Sequence, residues 1–293
     1  MKVDIHADDY GYSINTSKDI IECVKKGNLN SFSILCNMSC FDECMDLLYQ
    51  EIPSFKYMPL LSIHINLPEG IMDSNYLPLS WVNLFLGSIF RKSILKKEIK
   101  KVIKDQIDKT QVVIDKCINI AKENGIEVKQ KGIRLDSHVH THLIPVVWES
   151  LVEVIDENNY DVEFIRNPKE PIIPFMKRNI FSYGLANIIK NRILMFYSKK
   201  VDKYCDSHNL NKMYMWGLLM SGHMDYDRIK DVYPNVIDYC KNKNRDLEIL
   251  FHPGLALKDE YSDEKNLDYY NDFNSSKFRT IEKNSVLRIE EIV

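Results

Sequence analysis

The chain has 293 residues, of which 45% are hydrophobic and 28% charged, a composition that excludes disordered and fibrous proteins and indicates a folded domain. Its net charge of −3 comes from interspersed acidic and basic residues, which gives little support for a nucleic-acid partner. No run approaches the ~18 apolar residues of a membrane span, so we predict no membrane association.

Short β-branched runs alternate with longer helical patterns along the chain. The predicted strands cover residues 3–6, 31–35, 60–66, 132–136, 162–165, 213–217 and 247–251. The predicted helices cover residues 14–26, 41–50, 96–124, 146–158, 183–208 and 226–243. This alternation is typical of parallel strands joined by helices, in either a barrel or a doubly wound sheet.

Three stretches between these elements are irregular. Residues 68–91 are long for a connection between a strand and a helix, so we expect short helices there that form a lid or wall. Residues 168–174 and 259–276 also follow predicted strands. Long connections in compact domains are often functional.

The seven cysteines are odd in number and widely spread. Cys36, Cys40 and Cys44 lack the paired spacing of a structural zinc site. Acidic residues interrupt the first apolar stretch, so no secretory signal is predicted. Reduced thiols and a cytoplasmic location are therefore expected.

Four segments at the carboxyl ends of predicted strands concentrate histidines and carboxylates. They are His6-Ala7-Asp8-Asp9-Tyr10-Gly11, His64-Ile65-Asn66-Leu67, Asp136-Ser137-His138-Val139-His140-Thr141-His142 and Phe251-His252-Pro253-Gly254. In barrels and open α/β sheets alike, active sites form at that edge. Five of the eight histidines fall in the last three segments, which places the expected site there.

The third segment is the most specific of the four. In an extended chain, side chains alternate between faces, so Asp136, His138, His140 and His142 would all point the same way. Neutral imidazoles are good ligands for divalent transition metals, and a neighbouring carboxylate can fix the ring orientation. The alternative is a solvated strand end whose histidines only form hydrogen bonds. His64 alone is weak evidence for a metal site. It becomes a candidate ligand because the histidines of residues 138–142 are expected nearby.

Asp8 and Asp9 are adjacent carboxylates at the end of an apolar strand. Burying both charges would cost several kcal/mol unless a cation lies between them, and a divalent metal would remove that cost. One carboxylate could bind the metal while the other reaches a metal-bound water. The alternative, capping of the helix that begins at Ile14, suits one aspartate but not both.

His252 precedes Pro253-Gly254, so it could belong to a simple turn. The proline restricts His252 to extended backbone angles, and the glycine lets the chain bend sharply afterwards. The imidazole would then be held at the strand end, facing the metal. We therefore predict that His252 takes part in proton transfer.

Together, the four motifs resemble those of the YdjC-like carbohydrate deacetylases. Members of that family show Ala-Asp-Asp-Phe-Gly, His-Leu-Asn-Leu, Asp-Ser-His-x-His-x-His and His-Pro-Gly in the same order. The resemblance spans nearly the whole chain. Tyr10 replaces the usual phenylalanine, and His6 stands where asparagine is common; neither change removes a ligand.

The resemblance implies an α/β fold, a TIM-barrel-like (β/α) barrel that is seven-stranded and irregular, in a single domain over residues 1–293. It implies a hydrolase that uses one divalent metal ion, Mg²⁺ or Zn²⁺, to remove the acetyl group from an N-acetylated mono- or oligosaccharide. By position, the metal ligands are Asp9, His64 and His138, and Asp8 is the general base. A homodimer is also implied.

Other side chains are expected near the metal, where they would bind substrate or support the ligands. They are Asp136, His140, His142, Asn66 and Arg166. For Arg166, which follows the predicted strand 162–165, the alternative is a surface charge at the start of a loop. The proton donor to the leaving amine would be His252, or a histidine of the pair His140 and His142. Aromatic residues of the long loops could stack on sugar rings, namely Trp81, Phe85, Tyr261, Tyr269 and Tyr270.

Two alternative functions remain open at this point. The first is another metallohydrolase on a similar barrel, an amidohydrolase or phosphoesterase, although those families commonly open with a His-x-His pair on the first strand. The second is a catalytically inactive sugar-binding protein on the same scaffold. Its sign would be a missing ligand or base, and the sequence has all of them. The donor set suits both zinc and magnesium.

Overall fold

Seven parallel β-strands form one curled sheet in the computed structural model, which describes residues 1–72, 78–176, 183–257, 260 and 276–293. The strands are β1 (Val3–Tyr10), β2 (Ser31–Ile34), β3 (Leu60–Ile65), β4 (Ile133–Ser137), β5 (Val162–Ile165), β6 (Met213–Trp216) and β7 (Asp246–Phe251). Their order in the sheet is β5-β4-β3-β2-β1-β7-β6, and all neighbours pair in parallel. The sheet follows the wall of a barrel that stays open between β5 and β6. The predicted irregular, seven-stranded barrel-like fold is confirmed.

The open seam between β5 and β6 is bridged by the segment that follows β5. The Lys169 carbonyl accepts the backbone N–H of Met215 in β6 at 3.1 Å. The buried carboxylate of Glu170 accepts the backbone N–H groups of Gly217 and Leu219 at 2.8 and 2.7 Å. Burial raises the pKa of Glu170 to about 7, although these donors favour its ionised form. Across the seam, a backbone hydrogen bond and the buried Glu170 side chain thus take the place of strand pairing.

Helices cover the outer surface of the sheet, as the alternating pattern predicts. Within the described part of the chain they are α1 (Ile14–Lys26), α2 (Phe41–Glu51), α3 (Trp81–Phe90), α4 (Lys92–Glu123), α5 (Pro145–Asn158), α6 (Leu185–His208), α7 (Tyr226–Asn242) and α8 (Lys277–Arg288). Helix α1 has the predicted bounds because the Ser13 hydroxyl accepts the Thr16 N–H at 3.1 Å and caps its first turn.

The long connection 68–91 contains a helix, as expected. It is α3, in which Trp81 stacks on Phe85 with ring centroids 5.8 Å apart. The predicted irregular stretch 259–276 lies almost wholly outside the described residues, as do Tyr261, Tyr269 and Tyr270. Helix α8, which follows that stretch, was not predicted.

One continuous hydrophobic cluster includes side chains from all seven strands and from the eight helices named above. Such continuity is expected of one domain with a sheet covered by helices. Among the helices of the described residues, none is both long and apolar enough to cross a membrane.

The turn after β1 is shaped by Gly11, whose φ of +88° lies in the left-handed region. A Cβ atom at this position would lie 2.6 Å from the carbonyl oxygen of Leu35. Only glycine therefore fits where the end of β1 packs against the end of β2. This turn fixes the direction of the chain just beyond Asp8 and Asp9.

Candidate active site

Three buried side chains meet at the carboxyl edge of the sheet: Asp9 in β1, His64 in β3 and His138 directly after β4. One ligand atom from each lies within 4.8 Å of the others. The strand order explains this, because β3 and β4 are neighbours and β1 is separated from β3 only by β2. The sequence predicted these three residues as the metal ligands, and the fold brings them together.

His64 is oriented as metal-ligating histidines usually are. Its Nδ1 lies 2.6 Å from a carboxylate oxygen of Asp136, while its Nε2 is buried and makes no hydrogen bond. That Nε2 lies 3.6 Å from Oδ1 of Asp9. A buried imidazole nitrogen left without a hydrogen bond is costly in a protein interior unless a cation binds it. The residues present therefore fit a divalent metal, with Asp136 orienting the ring.

Asp9 holds an unusual backbone conformation, with φ at +74°. Non-glycine residues seldom adopt this region, and they do so mainly where the surroundings enforce it. Its Oδ1 lies 3.1 Å from Nδ1 of His138, and its Oδ2 accepts a hydrogen bond from Arg279 at 2.6 Å. Burial alone would raise the pKa of Asp9, but Arg279 and His138 hold it well below its usual value. Asp9 is therefore ionised and fixed.

Asp8, the neighbour of Asp9 in the chain, pairs with Arg166. The guanidinium of Arg166 is wholly buried and lies 2.9 Å from Asp8, 3.0 Å from Asp136 and 2.5 Å from Glu248. Burial would raise the pKa of Asp8, but Arg166, His64 and His6 hold it well below its usual value. Arg166 is thus a central cation of the site and not a surface charge.

The two arginines also correct one argument made from the sequence. The charges of Asp8 and Asp9 were expected to need a metal between them, yet Arg166 and Arg279 already compensate them. What favours a metal is the geometry of the three ligands and the unbonded Nε2 of His64.

A second cluster, formed by His6, Asp8 and Asp136, also has the spacing of metal ligands. The hydroxyl of Ser33 lies among these three residues. It is 2.6 Å from Nε2 of His6 and 3.2 Å from Oδ1 of Asp8, and it also bonds to Asp136. The Ser33 hydroxyl and the Arg166 guanidinium already bond these groups, so the cluster is a hydrogen-bonded support of the site.

The extended row expected over residues 136–142 is wrong. Strand β4 ends at Ser137, and the following residues 138–143 form 3-10 turns that are interrupted by a kink at Val139 and His140, whose φ angles are positive at 46° and 57°. The alternation of side chains therefore stops at His138, and the later histidines turn away from a common face. The left-handed backbone angles of these two residues depend on tertiary packing, which the alternation of side chains along a strand cannot predict.

His142 and His140 have different surroundings. The Nδ1 of His142 lies 2.6 Å from the Ser137 hydroxyl, and its Nε2 lies 2.9 Å from the carbonyl oxygen of Arg166. Burial lowers the pKa of His142 to about 3, so it is a neutral structural link. Burial, and then Arg166, also lower the pKa of His140 well below its usual value.

His252 lies at the edge of the site, with 22% of its side chain exposed. Its Nε2 is 3.9 Å from Oδ2 of Asp8. Its backbone N–H donates to the Glu282 carboxylate at 2.6 Å, and its Nδ1 is 3.7 Å from the same oxygen. The placement puts a titratable group between solvent and the Asp8 carboxylate.

Asn66 supports the chain after β3. Its side-chain amide donates to Asn37 at 3.2 Å, and its backbone N–H and carbonyl both bond to Gln106 at 2.8 Å. These contacts fix the loop that continues from His64. The expected contact of Asn66 with substrate stays a prediction.

Four buried charged residues at the described site were missed by the sequence analysis: Glu69, Glu248, Arg279 and Glu282. Glu69 lies 2.8 Å from Nε2 of His138. It could have been suspected, because it follows His64 by five residues in a Pro-Glu-Gly turn. Arg279 and Glu282 lie on α8, where nothing in the local pattern distinguishes them from solvated helix charges.

The chain is similar in sequence to known proteins. A family model described as YdjC-like protein matches residues 2–115 and 129–283. A protein of Thermoanaerobacter pseudethanolicus named carbohydrate deacetylase is 26% identical over 200 residues, covering 68% of this chain and 71% of that protein. A Danio rerio protein of the same name is 22% identical over 185 residues, 60% of this chain, and the match spans about half, 52%, of that protein.

A solved structure is similar in fold. It is the crystal structure of an Enterococcus faecalis V583 protein described as a candidate for cellobiose-phosphate cleavage. The TM-score is 0.50 at 16% sequence identity, and the likeness covers 99% of this chain and 92% of that one. At this identity the likeness concerns the fold alone.

Proposed function

Because the chain belongs to the YdjC-like protein family, we propose that it is a metal-dependent carbohydrate deacetylase that removes the acetyl group from an N-acetylated sugar. The observation that carries the proposal is the convergence of Asp9, His64 and His138 beside the ionised carboxylate of Asp8. Two relatives with the name carbohydrate deacetylase support the substrate class. The substrate would be a mono- or oligosaccharide, and the homodimer stays an expectation from the family.

In this proposal Asp9, His64 and His138 hold one divalent ion, Zn²⁺ or Mg²⁺. The bound ion would supply Lewis-acid polarisation of the acetyl carbonyl and increase the acidity of water. Because Oδ2 of Asp9 is held by Arg279, Oδ1 is the oxygen that faces both histidines. Asp136 keeps the Nε2 side of His64 directed into the site.

The protein's own groups would move the protons. Oδ2 of Asp8 lies 3.9 Å from both His64 Nε2 and His252 Nε2, so this carboxylate borders the space between the ligands and the entrance. Asp8 would accept a proton from the attacking water as general base. His252, on the solvent side, would donate a proton to the nitrogen of the leaving amine as the C–N bond breaks.

Released acetate is the direct test of the reaction. We expect metal-loaded protein to release acetate from at least one member of a panel of N-acetylated mono- and oligosaccharides. Treatment with a chelator should abolish the release, and Zn²⁺ or Mg²⁺ should restore it. Binding of a sugar without acetate release would favour the sugar-binding alternative, and hydrolysis of phosphate esters or other amides alone would favour a different barrel metallohydrolase.

The variant His252→Ala is expected to lower kcat by about 10²-fold, the lower range for general acid–base groups, because the leaving amine loses its proton donor. The metal content and the melting temperature should stay near those of the parent protein. Turnover and melting temperature should be measured on one preparation.

His208→Ala is the matched control, since His208 is exposed at the end of α6 and stacks on Tyr204 away from the site. A lower melting temperature of His252→Ala with unchanged turnover per folded molecule would instead assign His252 to a structural turn.

A further inference from the structure

Helix α8 buries two charged residues toward the sheet. Arg279 is 2% exposed and Glu282 is 4% exposed, and a spacing of three residues places them on one face of the helix. The helix is fixed in place by Lys283, which lies 2.5 Å from Asp19 and 2.7 Å from Glu22 on α1. Buried arginine and glutamate side chains are rare unless they are paired. Their partners therefore indicate what they do.

The partner of Arg279 is a proposed metal ligand. Its Nη2 donates to Oδ2 of Asp9 at 2.6 Å, and its Nη1 lies 3.4 Å from the carbonyl oxygen of Gly254. The guanidinium therefore connects the end of β1 with the turn after β7. Because it occupies one carboxylate oxygen, Asp9 presents only Oδ1 toward His64 and His138.

The partner of Glu282 is the proposed proton donor. The Glu282 carboxylate accepts the backbone N–H of His252 at 2.6 Å and lies 3.7 Å from the Nδ1 of its ring. A buried carboxylate that accepts a backbone N–H at a strand end fixes the local chain direction. The side chain of His252 is partly exposed, and this bond at its backbone N–H helps to hold it at the strand end.

We propose that Arg279 and Glu282 are positioning residues through which α8 fixes the two working groups of the active site, Asp9 as a one-oxygen metal ligand and His252 as the proton-transfer group. The roles of Asp9 and His252 rest on the proposed function. The contacts of Arg279 and Glu282 with these two residues do not depend on the proposed function, so the contacts can be tested without a turnover assay. Partners of metal-ligating groups commonly contribute about 10–100-fold to metal affinity or activity.

For Arg279, the test is the affinity for Zn²⁺ in Arg279→Ala, measured by calorimetric titration. A positioning role predicts binding that is about 10–100-fold weaker, because Asp9 loses the contact that orients it. Arg288→Ala, on the same helix but with 54% of its side chain exposed, should bind Zn²⁺ as the parent protein does. If Arg279→Ala does not fold, Arg279→Lys keeps the charge and should still bind more weakly.

Tighter or unchanged Zn²⁺ binding in Arg279→Ala would overturn the positioning role of Arg279. If the guanidinium merely competed with the metal for Asp9, its removal would tighten Zn²⁺ binding. Unchanged affinity would equally remove Arg279 from the positioning role.

For Glu282, amide hydrogen exchange of His252 gives a measurement that needs no substrate. Glu282→Ala should accelerate exchange at the His252 N–H, and Glu282→Gln should largely restore protection because its amide oxygen can still accept. In turnover assays, Glu282→Ala should lower kcat by about tenfold or more with little change in KM. Glu290→Ala, an exposed glutamate just beyond α8, is the matched control.

These results separate the two levels of inference. If the parent protein releases acetate from none of the sugars, the proposed function is contradicted. The hydrogen-exchange and Zn²⁺-binding measurements would still decide the positioning roles. Unchanged exchange at His252 in Glu282→Ala would overturn the role of Glu282. A Glu282→Gln variant as impaired as Glu282→Ala would do the same, because it would show that charge matters and not the hydrogen bond.

Discussion

Asp8→Asn is expected to lower kcat by about 10³–10⁴-fold while metal affinity changes little, the upper range for a group that handles protons in the reaction. The substitution keeps the shape of the side chain and removes the basic oxygen. The ligands Asp9, His64 and His138 are unaltered, so the metal should still bind. Turnover and Zn²⁺ titration on the same preparation measure both quantities.

The control for Asp8→Asn is Glu248→Gln. Glu248 contacts the same guanidinium of Arg166 at 2.5 Å, so its replacement by glutamine also removes one negatively charged partner of that guanidinium. If Asp8 acts as a base, Glu248→Gln should reduce kcat far less. Equal losses in the two variants would show that the charge around Arg166 matters and that Asp8 is not the base.

Arg166→Met is expected to lower the free energy of unfolding by about 3–5 kcal/mol, the usual effect of removing one member of a buried ion-pair network. The reason is that Asp8, Asp136 and Glu248 would remain buried without their common cation. For a chain of this size the melting temperature should fall by roughly 10 °C. Urea unfolding and calorimetry measure the two quantities.

The loss of folding stability in Arg166→Met should also depend on pH. In the parent protein Arg166 lowers the pKa of Asp8, and it lowers that of Asp136 to about 2. Without the guanidinium, burial raises both pKa values above those of the unfolded chain, so ionisation opposes folding at neutral pH. The deficit should therefore shrink as the pH falls toward 5. A melting temperature within about 3 °C of the parent at neutral pH would contradict the central role of Arg166.

Local sequence patterns predicted most of the fold because the elements have clear local signals. Strand β5 has its predicted bounds, Val162–Ile165, and α1 begins after a serine cap. Parallel strands then bring their carboxyl ends to one edge, whatever the details of the loops. That rule predicted that the segments holding Asp9, His64 and His138 would meet, and the resemblance to the YdjC-like family singled out these three residues within them.

The parts of the site that were missed depend on contacts distant in sequence. The left-handed backbone angles of Val139 and His140 follow from packing, and because of them the later histidines do not share one face as predicted. Arg279 and Glu282 look like solvated helix charges until α8 docks on the sheet. Arg166 was identified only as one of two alternatives, because its burial depends on three carboxylates from three other strands.

The contact between Asp9 and Arg279 joins residues 270 positions apart in the chain. Proteins are synthesised from the amino terminus, so all three proposed ligands have been made by residue 138, when three of the seven strands are still missing. Long-range pairings of this kind form late, because the intervening chain must be ordered first. Helix α8 follows all seven strands in the chain, so the site reaches its final geometry only after the whole sheet has been synthesised.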